Sequence, residues 1–190
     1  MSINDYIKDY QEVASRLNDP ALSQALSRAI DVIHQAFLSK KKLLIAGNGG
    51  SAADSQHFAA EFMGRFKKER PPYPAIALST DTSFLTAWSN DYDFKTVFSR
   101  QLEALGNEGD VFVCFSTSGN SQNLIETLRV AKDKNLTTIA FLGGSGGKMK
   151  GLANVELIAP TSDTPRIQEV HTFLLHLIAG EVESLLFKTI

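Results

Sequence analysis

Residues 42–65 read KLLIAGNGGSAADSQHFAAEFMGR, and this stretch decides the fold. The apolar run at 43–46 ends at a glycine, which is typical of a buried strand in a parallel sheet. The small residues 47–50 then allow a tight turn with accessible amides. We expect Ser51 to cap the helix that follows and Gly64 to end it. Strand, glycine turn and helix N-terminus together predict a binding site for an anion or a sugar hydroxyl.

The predicted helix carries a polar stripe whose members are three, four and four residues apart: Asp54, His57, Glu61 and Arg65. A histidine one turn before a glutamate can bind a metal or perform acid–base chemistry. A solvated helix face is the alternative interpretation. The glycine turn also matches a loose dinucleotide fingerprint, but the acidic residue that this fingerprint needs about 20 residues later is out of place. A nicotinamide cofactor is therefore not expected.

The chain has 190 residues, 43% of them hydrophobic, and a formal net charge of −2. This length suits a single domain over residues 1–190, and the charge gives no general attraction to nucleic acid or anionic lipid. Without an 18-residue apolar run or a signal peptide, we expect no membrane partner and a cytoplasmic location. The one cysteine, Cys114, lies in the apolar run 111–115 and is expected to be an inert core thiol.

Residues 1–40 form an N-terminal helical segment with two predicted amphipathic helices. Asp19 and Pro20 suit the N-cap and the first position of the second helix. One helix can cover the sheet, whereas the other would leave an apolar face unburied within a single chain. We therefore expect a homo-oligomer that assembles partly through helix packing.

The remainder of the chain alternates strands with helices, and the further strands are predicted at 75–78, 110–115, 137–142 and 155–159. Such alternation predicts an α/β fold with a parallel sheet covered on both faces and ligands at the carboxyl ends of the strands. Helices are also expected at 82–89 and 94–105. Asn90 and Asp91 follow the first of them, where they either face a ligand or form only a turn.

The loop after strand 110–115 reads Ser116-Thr117-Ser118-Gly119-Asn120-Ser121 and is called the serine loop below. Its hydroxyl groups, its glycine and the following helix N-terminus suit a phosphate group. An ordinary connecting loop is the alternative. The sequence lacks the glycine–lysine frame of a nucleotide P-loop.

The last helix is expected to begin with Thr164 as its cap and Pro165 at its first position. Gln168 and His176 lie two turns apart on one face, with His171 nearby. A histidine in an apolar helix is more often a hydrogen-bonded core residue than a ligand, and this is the alternative for His176.

Taken together, five motifs resemble those of the phosphoheptose isomerases, the sedoheptulose 7-phosphate isomerases of the sugar-isomerase (SIS) domain superfamily. They lie in order along nearly the whole chain, at 47–51, 57–61, 90–91, 116–121 and 166–169. The resemblance implies a three-layer α/β/α sandwich with a five-stranded parallel sheet, the SIS fold. It also implies N-terminal helices used in oligomer packing, a cytoplasmic homotetramer with sites shared between subunits, and one zinc ion per subunit.

The resemblance further implies site residues. The zinc ligands would be His57, Glu61, Gln168 and His176. The substrate contacts would be Asn48, Gly49, Gly50, Ser51, Glu61, Arg65, Asn90, Asp91, Ser116, Thr117, Ser118, Ser121 and Gln168. One departure is Pro165, which stands where some relatives have an acidic residue; Asp163 is nearby but displaced.

The implied activity is an aldose–ketose isomerisation of D-sedoheptulose 7-phosphate to D-glycero-D-manno-heptose 7-phosphate through an enediol. It is the first step of ADP-heptose and lipopolysaccharide core biosynthesis. Such a reaction needs a base and an acid, and we predict Glu61 as the base and His176 as the acid, with the order open to reversal by direction. A carboxylate held tightly by a metal is not free to act as a base, so the two implied roles of Glu61 compete.

Two alternatives to this enzyme share the scaffold. One is a non-catalytic SIS protein that binds the replication initiator; it lacks the glutamate and histidine that stand at Glu61 and His176. The other is the sugar-phosphate-sensing module of a regulator, which is disfavoured because no DNA-binding segment accompanies the domain.

Overall fold

A computed structural model of the chain describes residues 2–189, with side chains through residue 187. Within these residues, seven helices and five strands follow one another in this order: α1 Ile3–Ser15, α2 Pro20–Leu38, β1 Leu43–Gly47, α3 Gly50–Met63, β2 Ala75–Ala77, α4 Thr82–Asp91, α5 Val97–Leu105, β3 Val111–Ser116, α6 Gln122–Asp133, β4 Thr137–Gly143, β5 Val155–Ala159 and α7 Thr164–Thr189. Short 3₁₀ turns lie at Phe94–Thr96 and Gly147–Met149.

The five strands form one parallel sheet in the order β2-β1-β3-β4-β5. Both faces are covered, because Leu43 and Ile45 enter a core shared with α2, α3 and α7, while Leu44 and Ala46 enter a second core shared with α5 and α6. The predicted three-layer α/β/α sandwich is therefore confirmed. The strand order reverses between β1 and β3, so the loops that follow these two strands lie side by side at the crevice where such sheets bind ligands.

The helix starts follow local capping chemistry, with two differences from the sequence prediction. Asp19 caps α2 as predicted, because its Oδ1 accepts the N–H of Leu22 at 2.9 Å. The prediction that Ser51 caps α3 is wrong: Gly49 occupies the N-cap position with φ +57°, and Ser51 is buried inside the helix. The prediction that Thr164 caps α7 is also wrong, since Thr164 is already helical and the Ile167 N–H donates to the Asp163 carbonyl at 2.9 Å.

The helix predicted at 94–105 begins instead with the 3₁₀ turn Phe94–Thr96, and α5 follows it. The turn is opened by Asp93, whose side chain accepts the Lys95 N–H at 2.7 Å. Local side-chain hydrogen bonding of this kind competes with α-helical pairing.

The last helix, α7, packs against α2 and α3 and against strands β4 and β5. By length and composition alone, its segment Thr164–Phe187 is apolar enough to cross a membrane, with a mean hydropathy of 1.3. The segment also carries the buried polar side chains of His171 and Glu183, and its apolar residues belong to the main core. It therefore serves as a core helix of the α/β fold.

The two N-terminal helices differ in what they cover. Helix α2 lies on the sheet, where Ala29 and Ile33 are fully buried. Helix α1 buries Val13 but exposes Ile3 and Ile7, at 81% and 49% respectively. An apolar face of α1 is thus uncovered within the single chain.

Cys114 lies in β3 and is fully buried. Burial raises the pKa of its thiol far above the ordinary value, because the thiolate would lose its hydration. The prediction of an inert core thiol is confirmed.

Candidate active site

Three titratable side chains from α3 and α7 meet at one point. Nε2 of His57 lies 3.0 Å from Oε1 of Glu61 and 3.1 Å from Nε2 of His176. One ligand atom from each residue falls within 4.8 Å of both others. The first contact follows from the four-residue spacing on α3, whereas the second depends on how α7 packs against α3.

The polar stripe of α3 faces α7 and is not a solvated helix surface. Asp54 is 7% exposed, and its Oδ1 accepts the hydroxyl of Thr172 at 2.9 Å. Burial raises the pKa of Asp54, and the Thr172 hydrogen bond opposes that rise. Among the residues that the structure describes, Oδ2 of Asp54 has no hydrogen-bond partner. Asp54 therefore offers a polar atom beside the three converging side chains.

Arg65 does not belong to this stripe. Helix α3 ends at Met63, and Gly64 leaves the helical conformation with φ −90° and ψ −114°. Arg65 consequently turns away and pairs with Glu69 at 2.8 Å, in a largely exposed contact. Helical spacing does not apply to Arg65, because the spacing rule holds only inside a helix. Contact with a substrate remains a prediction for Arg65.

The glycine turn after β1 is joined to two other elements. The side-chain amides of Asn48 and Asn123 donate to each other, at 3.0 and 2.9 Å, and so connect this turn to the first turn of α6. Gly50 lies beneath Gln168 of α7, since a Cβ at Gly50 would fall 2.4 Å from Nε2 of Gln168. A larger residue at this position would displace the Gln168 side chain, so Gly50 lets Gln168 lie over the N-terminus of α3.

The sequence interpretation missed Asn123. It is 4% exposed and lies two residues after the serine loop, in the first turn of α6. A buried amide next to a candidate ligand loop is a usable signal, but its partner is 75 residues away in the chain. No local pattern identifies that partner.

The serine loop is ordered by its own hydroxyl groups. Oγ of Ser116 accepts the N–H of Gly119 at 3.1 Å and lies 3.2 Å from Oγ of Ser121. Oγ of Ser118 accepts the N–H of Asn120 at 3.2 Å. Ser121 is the N-cap residue of α6 but makes no side-chain cap, which leaves the helix N-terminus to an anion.

The serine loop and the start of α7 both approach Gly143, at the end of β4. A Cβ at Gly143 would meet the backbone oxygen of Thr117 at 2.6 Å and the side chain of Ile167 at 2.4 Å. Ile167 directly precedes Gln168, so the loop lies next to the turn of α7 that holds Gln168.

Asn90 and Asp91 are the last two residues of α4 and do not form a separate turn. Both are exposed, and Nδ2 of Asn90 donates to Oδ1 of Asp91 at 3.0 Å. Their contact with a ligand remains a prediction.

His171 is a core residue. It is fully buried between Phe115 and Phe141, and its Nε2 lies 3.0 Å from the Leu142 carbonyl oxygen. Burial lowers the pKa of His171 to about 4, so the imidazole is neutral near pH 7. His176 differs from it because its ring opens into a groove of about 610 Å³, whose lining includes Tyr10, Gly50, Asp54, Gln168, Thr172 and His176.

The donor set of His57, Glu61 and His176 fits a divalent metal such as zinc. Two imidazole nitrogens and a carboxylate oxygen are ordinary zinc ligands, and ligand atoms around a tetrahedral zinc ion lie about 3.3 Å apart. The contacts of 3.0 and 3.1 Å at His57 come close to that separation. Gln168 lines the same groove, although its amide lies against Gly50.

Comparison with known proteins agrees with this architecture. The SIS domain family model matches residues 5–143. The chain is 50% identical over 187 residues to the phosphoheptose isomerase of Citrifermentans bemidjiense, covering 98% of this chain and 97% of that protein. It is 47% identical to the phosphoheptose isomerase of Burkholderia pseudomallei strain K96243 over 97% of this chain and 94% of that protein.

Solved structures give the same result. The phosphoheptose isomerase of Francisella tularensis superposes with a TM-score of 0.92 at 34% identity and covers 96% of both chains. That of Neisseria gonorrhoeae gives a TM-score of 0.82 at 42% identity, over 95% of this chain and 94% of that chain. Sequence and fold agree, and the chain belongs to the phosphoheptose isomerases of the SIS domain family.

Proposed function

We propose that this chain is an aldose–ketose isomerase that converts D-sedoheptulose 7-phosphate to D-glycero-D-manno-heptose 7-phosphate. The observation that carries the proposal is the meeting of Glu61 and His176 around His57, at a groove that His176 lines together with Gly50 of the glycine turn. Relatives about 50% identical over nearly the whole chain are phosphoheptose isomerases, which supports the same reaction class. The product would feed ADP-heptose and lipopolysaccharide core biosynthesis.

The reaction moves two protons and leaves the oxidation level of the sugar as a whole unchanged. In the ketose-to-aldose direction, a base takes a proton from C1, an enediol forms between C1 and C2, and a proton returns to C2. A second proton moves from the oxygen on C1 to the oxygen on C2. We assign the carbon-bound proton to Glu61 and the oxygen-bound proton to His176; in the reverse direction each residue moves the same proton the opposite way, so that base and acid steps are reversed.

The phosphate end of the sugar is assigned to the serine loop. The N-terminus of α6, which lacks a side-chain cap, and the hydroxyls of Ser116, Thr117, Ser118 and Ser121 are suited to phosphate oxygens. Holding that end fixes the distance of the reacting carbons from Glu61. Asn48, Gly49, Gly50, Ser51, Arg65, Asn90, Asp91 and Gln168 are the further proposed substrate contacts.

The His57, Glu61 and His176 cluster is compatible with a metal, and we assign it one zinc ion per subunit with Gln168 as the fourth ligand. When bound, zinc would polarise the substrate oxygens and hold α3 and α7 together. Because a metal-bound carboxylate is a weaker base, turnover requires Glu61 to reach the substrate with at least one oxygen unengaged.

We further propose a homotetramer, in which the exposed face of α1 is covered by other copies of the chain. Ile3, Tyr6, Ile7 and Tyr10 supply that face. The core position of α7 is consistent with a soluble protein, and we place it in the cytoplasm. Light scattering of the purified protein tests the assembly, and a single species of monomer mass would contradict it.

The alternative of a non-catalytic SIS protein that binds the replication initiator has no support among the relatives. A protein that only binds the initiator would also not need Glu61 and His176 to lie close together. Binding of the initiator, combined with failure to isomerise sedoheptulose 7-phosphate, would favour that alternative.

The deciding experiment compares the wild-type protein with Glu61→Gln, using sedoheptulose 7-phosphate and detection of the aldose product. Loss of the base is expected to lower kcat by about 10²- to 10⁴-fold while circular dichroism stays unchanged. Glu103→Gln, a change at an exposed ion pair on α5, is the matched control and should keep full activity. Turnover of Glu61→Gln at the wild-type rate would remove Glu61 from the base role.

A further inference from the structure

The loop that follows α3 is held by one buried carboxylate of α7. Oε1 of Glu183 accepts the backbone N–H of Phe66 at 3.0 Å, and Oε2 accepts those of Lys67 and Lys68 at 2.8 and 3.0 Å. The Glu183 side chain is 2% exposed. Burial alone would raise the pKa of Glu183, but these three amides and the Arg70 guanidinium together lower it, so the carboxylate is ionised.

Arg70 connects the same carboxylate to the end of α3. Its Nε donates to Glu183 at 3.1 Å, and its side chain is 1% exposed. Nη2 donates to the carbonyl of Glu61 at 2.7 Å, and Nη1 donates to those of Phe62 and Gly64 at 2.9 and 3.2 Å. The last carbonyls of a helix lack intrahelical partners and favour a positive charge. Arg70 therefore fixes the end of the helix that carries Glu61 relative to α7.

This arrangement places the aromatic ring of Phe66 against the imidazole ring of His176. The rings of Phe66 and His176 have centroids 5.6 Å apart and an interplanar angle of 27°. Gly180 makes room for it, since a Cβ there would already meet Cε1 of Phe66 at 3.2 Å. One face of α7 contacts the whole loop, because successive members of the set His176, Gly180 and Glu183 are four and three residues apart.

We propose that Phe66 is a positioning residue for His176, and that the Arg70–Glu183 pair holds Phe66 in place. The proposal deepens the assignment of His176 above and rests on it. The outer torsion of a histidine side chain has a broad energy well, so a ring without a neighbour on its face rotates easily. Phe66 on one face and the edge contact with His57, at 77°, restrict that rotation and direct Nε2 of His176 toward His57.

The test separates ring orientation from overall stability. Phe66→Leu removes the ring, Phe66→Tyr keeps it, and Phe94→Leu is the control at an exposed phenylalanine far from this loop. The imidazole nitrogen resonances are recorded by NMR in metal-free, substrate-free protein, because they respond to hydrogen bonding at Nε2 far more than to the ring current of a neighbouring phenylalanine. His176 is assigned by its absence in His176→Gln. We expect the His176 resonances to move in Phe66→Leu and to return in Phe66→Tyr. We expect kcat to fall by about ten- to 100-fold in Phe66→Leu at an unchanged KM.

Glu183→Gln tests the second part, because it keeps the shape of the side chain but removes its charge. We expect the His176 resonances to move as they do in Phe66→Leu, whereas Glu181→Gln, an exposed change on the same helix, should leave them in place. Unmoved His176 resonances in folded Phe66→Leu would overturn the proposal, and unmoved resonances in folded Glu183→Gln would overturn the role of the pair. If the wild-type protein does not isomerise the sugar phosphate, the proposed function fails, but the NMR comparison still decides the positioning role.

Discussion

Replacing Gly119 by alanine tests how the serine loop is built. Gly119 has φ +63°, and a Cβ there would fall 1.9 Å from the carbonyl oxygen of Gly146, in the loop after β4. The two loops are also joined by the Met149 N–H, which donates to the Gly119 carbonyl at 2.9 Å. The obstructing atoms belong to the backbone, so no side-chain rotation can relieve the contact.

The cost has two parts. A non-glycine residue in the left-handed region costs about 1–2 kcal/mol, and overpacking against a rigid neighbour adds about 1–3 kcal/mol. The total of about 2–5 kcal/mol corresponds to a Tm lower by about 4–20 °C in a chain of this size. The two loops must also separate by about 1.5 Å to reach ordinary contact, so the phosphate site is displaced and KM rises.

Gly151→Ala is the matched control. Gly151 has φ +83°, but a Cβ there would meet nothing within 4 Å. This variant carries the backbone strain without the steric overlap. Its Tm should therefore fall only by the part that is due to backbone strain, and its KM should not change. Thermal unfolding followed by circular dichroism, together with isomerase kinetics, measures both effects. A Tm for Gly119→Ala no lower than that for Gly151→Ala, at an unchanged KM, would refute the reasoning.

Three further outcomes are expected. Replacing Ser118 and Ser121 together by alanine should raise KM at least about tenfold with little change in kcat, because hydrogen bonds to the phosphate are lost; an unchanged KM would argue against phosphate contact. The pKa of native His171, lowered by burial to about 4, lies below the value of about 6.5 in an unfolded chain, so the unfolded state binds the proton first as pH falls. The free energy of unfolding should therefore decline between about pH 6.5 and pH 4 by up to about 1.4 kcal/mol per pH unit. Urea unfolding at several pH values should show a shallower decline in His171→Leu than in the wild type, and equal declines in the two proteins would contradict this. Chelation should abolish turnover, and added zinc should restore it. Elemental analysis should find about one zinc per chain in the wild type and in the control variant His34→Gln, but far less in His57→Ala. Full activity after complete chelation would exclude the metal role.

Much of the fold could be predicted because its signals are local. Apolar runs closed by glycine marked the buried strands, and Asp19 before Pro20 marked the start of α2. The contact between His57 and Glu61 followed from one turn of helix. Gly64 also indicated the end of α3, and a helix that ends there does not include Arg65 in its polar stripe.

The remainder depends on contacts between distant parts of the chain. The amide pair of Asn48 and Asn123 and the capture of three successive amides by Glu183 join residues far apart in sequence. Ser51 has the better capping side chain, yet Gly49 takes the N-cap because the turn there needs a positive φ. Tertiary geometry therefore decided the details that local preference could not.

The burial of Cys114 has a practical consequence for following assembly in solution. Because the one native thiol is enclosed in β3, a thiol-reactive probe meets no competing group on the folded protein. A single cysteine placed at Lys8, an exposed position of α1 outside its apolar face, can then carry a spin label without prior removal of Cys114. Distances between such labels would count the copies in a particle and identify the surfaces that they share.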